Sequence, residues 1–350
     1  MAHDKRLQLV HAPTPVEQRP ALDERLGVAL WIKRDDASGG AEAGNKIRKL
    51  EWLLGDAVER RANVVLTCGG LQSNHARATA IVCARLGLRC VLFLRVPDEL
   101  AGDPMVPSPR DKLLRTGNVL LDRLVGAEIR LISRADYAQR AAVMERAAQE
   151  LSRTPGETGS RDRPYLIPEG GSNGLGSLGY VEAMRELRGQ MDAGLAGGSA
   201  ELDEIVVACG SGGTAAGLAL GAARFGVAKR VRAVAVCDSA AYFERVIDRI
   251  VQEARAIDGS LGPPAPLVVD ESSRGPAYGV MTAKQRAFVV DVARTSGLLL
   301  DPVYTGKALF GVAQAVERGD IARGARILFL HTGGLPGLLA QGDDFAAELA

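Results

Sequence analysis

The sequence predicts an α/β protein built from parallel sheets flanked by helices, and three observations carry that reading. Short apolar runs alternate with stretches of helical period along most of the chain. The runs are nearly continuous rather than alternating, as in strands buried on both faces. Glycines and small polar residues cluster just past the runs, at the strand ends where parallel α/β sheets bind ligands. At 350 residues, 47% of them hydrophobic, the chain can fill more than one core. Two domains are expected: a smaller one over residues 58–165, inserted into a larger one formed by 1–57 and 166–350.

In chain order, the first strand is expected at Ala29–Ile32, followed by the polar turn Lys33-Arg34-Asp35-Asp36 and a glycine-bearing loop, 38–44. Asn45 stands where an N-cap would stand, so Lys46 falls in the first turn of the next helix. A Leu50, Leu53, Leu54, Ala57, Val58 stripe continues that helix to about Arg61. Further strands are expected at Asn63–Cys68, Arg89–Arg95, Glu128–Ile132, Tyr165–Pro168, Glu204–Cys209, Val231–Cys237, Pro266–Val269, Leu298–Asp301 and Arg326–His331. Helical patterns lie between them at Ser73–Leu86, Ala135–Ser152, Gly176–Leu195, Gly213–Phe225, Ala240–Ile257 and Thr282–Ser296. Two loops stand apart by composition, Val96–Arg110 and Arg153–Arg163, the second being the expected domain crossing.

Lys and Arg number 43 against 42 Asp and Glu, a balance that argues against nucleic acid or a membrane surface as partner. The N-terminal residues are charged and lack an apolar core, so no signal peptide is expected, and no apolar run approaches bilayer length. Five scattered cysteines without a Cys-x-x-Cys pair fit a reduced, cytoplasmic setting. Four histidines without ligand-like spacing argue against a metal site.

Several segments place reactive side chains at strand ends. In Gly44–Glu51, Lys46 opposes the positive end of a helix dipole, and Arg48 and Lys49 follow within one turn. That arrangement suits an anionic ligand, or an amine whose lowered pKa makes it a nucleophile; alone, it also reads as a solvated basic helix start. In Thr67–His75, Ser73 and Asn74 either cap a helix or turn a hydroxyl and an amide into a cleft. Gly210-Ser211-Gly212-Gly213-Thr214, between a strand and a helix, makes a phosphate cup. Gly210, Gly212 and Ala215 also match the dinucleotide pattern, with Asp238 available for a ribose, so an NAD-binding oxidoreductase is a second reading. Gly275–Gly279 and Asp301–Gly306 each set a tyrosine, Tyr278 or Tyr304, beside glycine, where it either lines a site or packs over a turn. Gly170–Asn173 and His331–Gly334 are further Gly-rich turns.

Together, and in this order, Lys33–Asp36, Gly44–Glu51, Gly69–Asn74, Gly170–Asn173, Gly210–Thr214, Gly275–Gly279, Asp301–Lys307 and His331–Gly334 resemble the pyridoxal-phosphate enzymes of the 1-aminocyclopropane-1-carboxylate (ACC) deaminase / D-cysteine desulfhydrase family. The resemblance spans nearly the whole chain and implies the two-domain fold type II, the tryptophan-synthase-β type, with pyridoxal 5'-phosphate in the interdomain cleft. It implies that Lys46 is the Schiff-base lysine and that Asn74 bonds the ring hydroxyl. Lys49 and the loop of Gly210, Ser211, Gly212, Gly213 and Thr214 would hold the phosphate. Ser73, with Asn74 and His75, would meet a small amino-acid substrate, Ser73 serving proton transfer or carboxylate binding. Tyr278 and Tyr304 would flank ring and substrate, Thr305 would approach the pyridine nitrogen, and Thr332 would form part of the substrate wall.

ACC deaminases carry an acidic residue directly after the second tyrosine and an apolar one at the position of Thr332. Thr305 and Thr332 therefore look like the desulfhydrase branch. The expected reaction is α,β-elimination of D-cysteine to pyruvate, sulfide and ammonia, with Lys46 or Ser73 taking the Cα proton. ACC ring opening, sulfite elimination from cysteate, β-replacement and cofactor binding without turnover are the alternatives. A homodimer is the assembly that goes with this resemblance.

Overall fold

The computed structural model describes residues 6–96, 114–153 and 161–350. The chain runs β1 (Val16–Gln18), α1 (Pro20–Leu26), β2 (Ala29–Arg34), α2 (Asn45–Glu59), β3 (Val64–Gly70), α3 (Asn74–Arg85) and β4 (Arg89–Arg95). It continues through α4 (Gly117–Leu124), β5 (Glu128–Ile132), α5 (Arg134–Ala138), α6 (Arg140–Arg153), β6 (Pro164–Leu166), α7 (Gly174–Asp192), β7 (Glu204–Cys209) and α8 (Gly213–Phe225). The last third is β8 (Val231–Ala235), α9 (Ala240–Ile257), β9 (Leu267–Asp270), α10 (Ala283–Ser296), α11 (Thr305–Arg318), β10 (Arg326–His331), α12 (Leu335–Ala340) and α13 (Ala346–Leu349).

The apolar runs pair into two sheets. One is six-stranded, in the order β1-β2-β10-β7-β8-β9, and the other four-stranded, in the order β5-β4-β3-β6. Among the described residues every strand pairing is parallel except β1 with β2. β7 and β8 are buried at each position, which is why they read as unbroken apolar runs. On one face of the large sheet, α7, α8 and α9 supply Leu187, Leu218 and Phe243; on the other, α1, α10 and α11 supply Leu22, Val292 and Leu309. The small sheet packs Leu53 and Leu54 of α2 and Val82 of α3 on one side, and Met144 and Ala148 of α6 on the other. Among the described residues no helix is long and apolar enough to cross a membrane.

Several expectations need correction. Leu298–Asp301 is not a strand. Leu298 and Leu300 are buried and Leu299 is exposed, a strand-like alternation, but the Leu299 carbonyl accepts from the His331 imidazole Nε2 at 2.8 Å instead of joining a sheet. The helix expected over Ala135–Ser152 divides at Gln139, because Ser133 caps a separate short α5 by accepting from Asp136 N–H. Asn45 is not the cap of α2: Gly44 takes that position and Asn45 is the first helical residue. β1, α1, α4, α11, α12 and α13 are not among the expected elements. The loops expected at 96–110 and 153–163 lie mostly outside the described residues.

Arg48 also departs from expectation, since it faces no ligand site. Its guanidinium donates to Asp35 at 2.9 and 3.0 Å, to Glu186 at 3.0 Å and to Thr14 Oγ1 at 3.0 Å. Lys33 joins the cluster through Glu186, Gln190 and the Thr14 carbonyl, and Tyr180 donates its hydroxyl to Asp35. Burial pushes the Asp35 carboxyl up, but Arg48 and then Lys33 outweigh it and hold the group below its ordinary value. This network ties the turn after β2, the start of α2 and the middle of α7 into one unit. Arg48→Leu leaves the fully buried Asp35 carboxylate without its ion-pair partner, so it should cost about 3–5 kcal/mol of stability, read from the urea midpoint at constant m-value.

Candidate active site

The two sheets turn their strand ends toward one cleft. β3 ends at Gly70 and hands over to α3, β7 hands over through Gly210–Gly212 to α8, and α2 begins beside the end of β10. These ends line a cavity of about 830 Å³. Lys46, Ser73, Asn74, His75, Gly210, Ser211, Gly212, Thr214, Tyr278, Tyr304 and Thr332 all reach it. Lys49, Gly213 and Thr305 do not line it; they are buried behind its wall.

Lys46 owes its place to Gly44. The backbone at Gly44 has φ +125°, and a Cβ there would lie 2.9 Å from the Thr332 carbonyl oxygen. That same oxygen accepts from Asn45 N–H at 3.1 Å, so the start of α2 rests directly on the end of β10. Freed from capping, the Asn45 side chain bridges the site. Its Oδ1 accepts from Lys46 Nζ at 2.9 Å, and its Nδ2 donates to Thr214 Oγ1 at 3.1 Å. Lys46 Nζ also lies 5.8 Å from the centroid of the Tyr304 ring. Burial, and after it the Arg77 guanidinium, bring the Lys46 amine down to about 8. A substantial neutral fraction is then present just above neutrality.

Lys49, one helical turn on, donates to the Gly170 carbonyl and to Ser172 Oγ, both at 3.1 Å. A Cβ on Gly213 would meet its Nζ at 2.9 Å, so the lysine lies against the underside of the glycine loop. Burial and the nearby Lys46 push its amine well below the ordinary lysine value. The loop itself opens α8 without a side-chain cap. Gly213 N–H is taken by Ser172 Oγ at 3.2 Å, and the Ser211 hydroxyl pairs with Ser172 at 2.8 Å. The helix start and the Thr214 hydroxyl remain as an anion cup with Lys49 beneath it.

On the facing side, Ser73 caps α3 by accepting from Ala76 N–H at 3.2 Å. Capping uses its oxygen as acceptor and leaves the hydroxyl proton to be donated. His75 Nε2 meets Thr67 Oγ1 at 2.9 Å, and Thr67 donates its proton to the Ile167 carbonyl. His75 must therefore carry its hydrogen on Nε2. Burial, Lys46 and Lys49 together keep this imidazole well below its usual pKa, hence neutral. The Tyr278 and Tyr304 hydroxyls are 2.6 Å apart, with rings edge to face at 6.0 Å. Burial raises both phenols, so both stay protonated.

Thr305 opens α11 and gives its hydroxyl to Asp301 at 2.6 Å. The Asp301 carboxylate also accepts from the N–H groups of Val303, Tyr304 and Thr305, fixing the backbone under Tyr304. Lys307, one turn further, is buried and donates to the carbonyls of Arg274, Ala277 and Val236 at 2.7, 2.8 and 3.4 Å, fastening the Tyr278 loop to α11.

Among the residues lining the same cavity that the sequence reading missed are Arg95, Tyr137, Arg140 and Glu169. Glu169 accepts from the Tyr137 hydroxyl at 2.5 Å and pairs with Arg140 at 3.0 Å; Arg95 lies over the Tyr137 ring at 5.0 Å and the Tyr278 ring at 5.6 Å. Arg95 was within reach of the strand-end rule, being the last residue of β4. Tyr137 and Arg140 carry no comparable signal.

This donor set fits pyridoxal phosphate. It combines an amine partly neutral near pH 8, an uncapped helix start for a dianion, and an amide, hydroxyls and a tyrosine ring around one cleft.

A family model described as "Pyridoxal-phosphate dependent enzyme" matches residues 7–333. The chain is 39% identical over 344 residues to the bifunctional D-cysteine desulfhydrase/ACC deaminase, mitochondrial, of Arabidopsis thaliana, covering 97% of this chain and 80% of that one. It is 37% identical over 337 residues to the D-cysteine desulfhydrase of Klebsiella pneumoniae (strain 342), covering 96% and 95%. A solved ACC deaminase homologue superposes with a TM-score of 0.81 at 34% identity, covering 98% of this chain and 95% of that one. Maize serine racemase, at 18% identity and a TM-score of 0.61, shares the fold. The dinucleotide reading of Gly210, Gly212 and Ala215 is thereby set aside. The chain belongs to the pyridoxal-phosphate-dependent enzymes of fold type II, in the ACC deaminase / D-cysteine desulfhydrase family.

Proposed function

We propose that the chain is a carbon–sulfur lyase that carries out α,β-elimination on a small β-substituted amino acid, with D-cysteine as substrate and pyruvate, sulfide and ammonia as products. The observation that carries this reading is the Lys46 amine. It is brought down to about 8, held on Asn45, and shares one cavity with an uncapped glycine loop at a helix start. Bound pyridoxal phosphate supplies a covalent link to the substrate amine and an electron sink for the charge left when the Cα proton departs.

Lys46 would be the attachment lysine in this reading and, when its amine is free, the base for the Cα proton. Ser73 offers its free hydroxyl proton to the substrate carboxylate or relays the Cα proton. The Gly210–Thr214 loop takes the phosphate, with Lys49 behind it rather than in direct reach. Asn74 donates to the ring oxygen. Tyr304 lies beside Lys46, and its partner Tyr278, kept protonated, offers a hydrogen bond to the departing group. His75, held neutral, shapes the wall. The small sheet, β3 to β6, spans 64–166, which supports a small domain close to 58–165, although these limits fall inside α2 and β6.

The choice of D-cysteine is supported by Thr332, a polar residue on the cavity wall, and by the Klebsiella pneumoniae desulfhydrase among the relatives. Thr305 supports it as well, because it is uncharged and its hydroxyl is spent on Asp301. Opening a cyclopropane ring demands strong electron withdrawal through the pyridine nitrogen, which a carboxylate at that position would assist. Departure of thiolate demands less.

Reduction of the purified protein with borohydride, followed by peptide mapping, should put the pyridoxyl group on Lys46. Label on Lys49, or on no lysine, would remove the basis of the proposal. Because the Lys46 amine titrates near 8 and reacts only when neutral, cofactor uptake by the apoprotein should accelerate from pH 7 to 9, with a midpoint near 8. A rate flat across that range would place the reacting amine elsewhere. With both substrates supplied, sulfide and pyruvate should form from D-cysteine and little 2-oxobutanoate from ACC. Thr332→Leu should shift the ratio toward ACC, and dominance of 2-oxobutanoate in the unmodified protein would reverse the assignment.

A further inference from the structure

An amide can donate to an anionic ring oxygen only with its NH2 end forward. The hydrogen bonds around α4 determine which end of Asn74 faces the cavity, through backbone groups whose roles are not interchangeable. Asn118 Nδ2 donates to the Gln72 carbonyl oxygen at 3.0 Å and to Asn74 Oδ1 at 3.1 Å. A backbone carbonyl only accepts, so the Asn118 atom that faces it must be the NH2 group. That NH2 group in turn requires the oxygen end of Asn74. The Asn74 NH2 is thereby left for the cavity that this residue lines.

Asn118 is itself held in place. Its N–H donates to Gln72 Oε1 at 2.8 Å, and Gln72 Nε2 donates to the Thr116 carbonyl at 3.2 Å. Both partners are again backbone groups with a single role, so the Gln72 amide is fixed as firmly as that of Asn118. Gly117 permits the approach, since its φ is +56° and a Cβ there would lie 2.5 Å from Gln72 Oε1. Asn118 is fully buried and does not line the cavity.

We infer that Asn118 is a positioning residue, which holds the Asn74 amide with its NH2 group turned toward the ring oxygen of pyridoxal phosphate. The inference rests on the reading of Asn74 as the donor to that oxygen. With the clasp removed, Asn74 can turn its oxygen inward, setting two acceptors face to face and losing a hydrogen bond to a charged partner.

The test strips and reloads the cofactor, and measures its Kd and the visible absorption band of the loaded protein. The proteins compared are the unmodified chain, Asn118→Ala, Asn74→Ala and the double variant. Asn118→Ala should weaken cofactor binding about five- to tenfold and shift the band. Asn118→Asp keeps the shape but, when ionised, can only accept, so it should draw the Asn74 NH2 away from the cavity and weaken binding further. It also carries the comparison if Asn118→Ala does not fold. In the Asn74→Ala background, changing Asn118 should alter Kd by less than about twofold, because nothing is left to orient. An equal loss in both backgrounds, or no loss in either, overturns the positioning role while leaving Asn74 as the cofactor donor. If Asn74→Ala alone leaves Kd and band unchanged, the cofactor reading of Asn74 fails and this inference falls with it.

Discussion

The buried contact of Arg48 with Asp35 and Glu186 sets the rotation of α2, and the active site depends on that rotation. Successive residues turn by about 100° round an α-helix, so Lys46 and Lys49 share one face while Arg48 points away, about 200° from Lys46. Locking the Arg48 guanidinium between acidic side chains of the β2 turn and α7 leaves the helix one orientation. Lys46 then opens into the cleft, and Lys49 lies under the glycine loop. Such buried pairs return little net stability once desolvation is counted, and their use here is to fix geometry.

With α2 locked, three cations crowd one region: Lys46, Lys49 and Arg77. Burial is the largest influence on each, bringing Lys46 to about 8 and Arg77 to about 10 and pushing Lys49 well below the ordinary lysine value. Each of the two lysines feels a neighbouring cation as well. A dianion held at the start of α8 would relieve that crowding and, by favouring the charged lysines, would raise both amines again. Cofactor affinity and lysine reactivity are thus two effects of one charge arrangement.

Much of this was legible in the sequence where burial and strand ends leave a local mark. β4, β5, β7 and β10 match the apolar runs residue for residue; β7 is buried at every position, and β4 and β10 are buried throughout except at polar end residues. Lys46, Ser73, Asn74 and the Gly210–Thr214 loop stood out by following such strands. Features set by distant partners were hidden. Arg48 looks like any basic residue until Asp35 and Glu186 are seen beside it. α11 was missed because Asp301, four residues ahead of Thr305, stabilises its start from within what reads as a strand. Asn118 meets Gln72 and Asn74 across more than forty residues of chain, and nothing in its local sequence marks the contact.

Lys307 carries a consequence of a different kind. Three backbone carbonyls, from Val236, Arg274 and Ala277, converge on its ammonium group. Carbonyl oxygens gathered in this way suit a hard cation, and a protein that left the space to solvent ions would depend on which alkali metal its surroundings supplied. Here the cation is covalently part of the chain. The loop bearing Tyr278 is therefore fastened by a counterion that cannot be exchanged, and its geometry is insulated from the sodium and potassium content of the medium. It remains open only to the proton, because burial brings the Lys307 amine down to about 8.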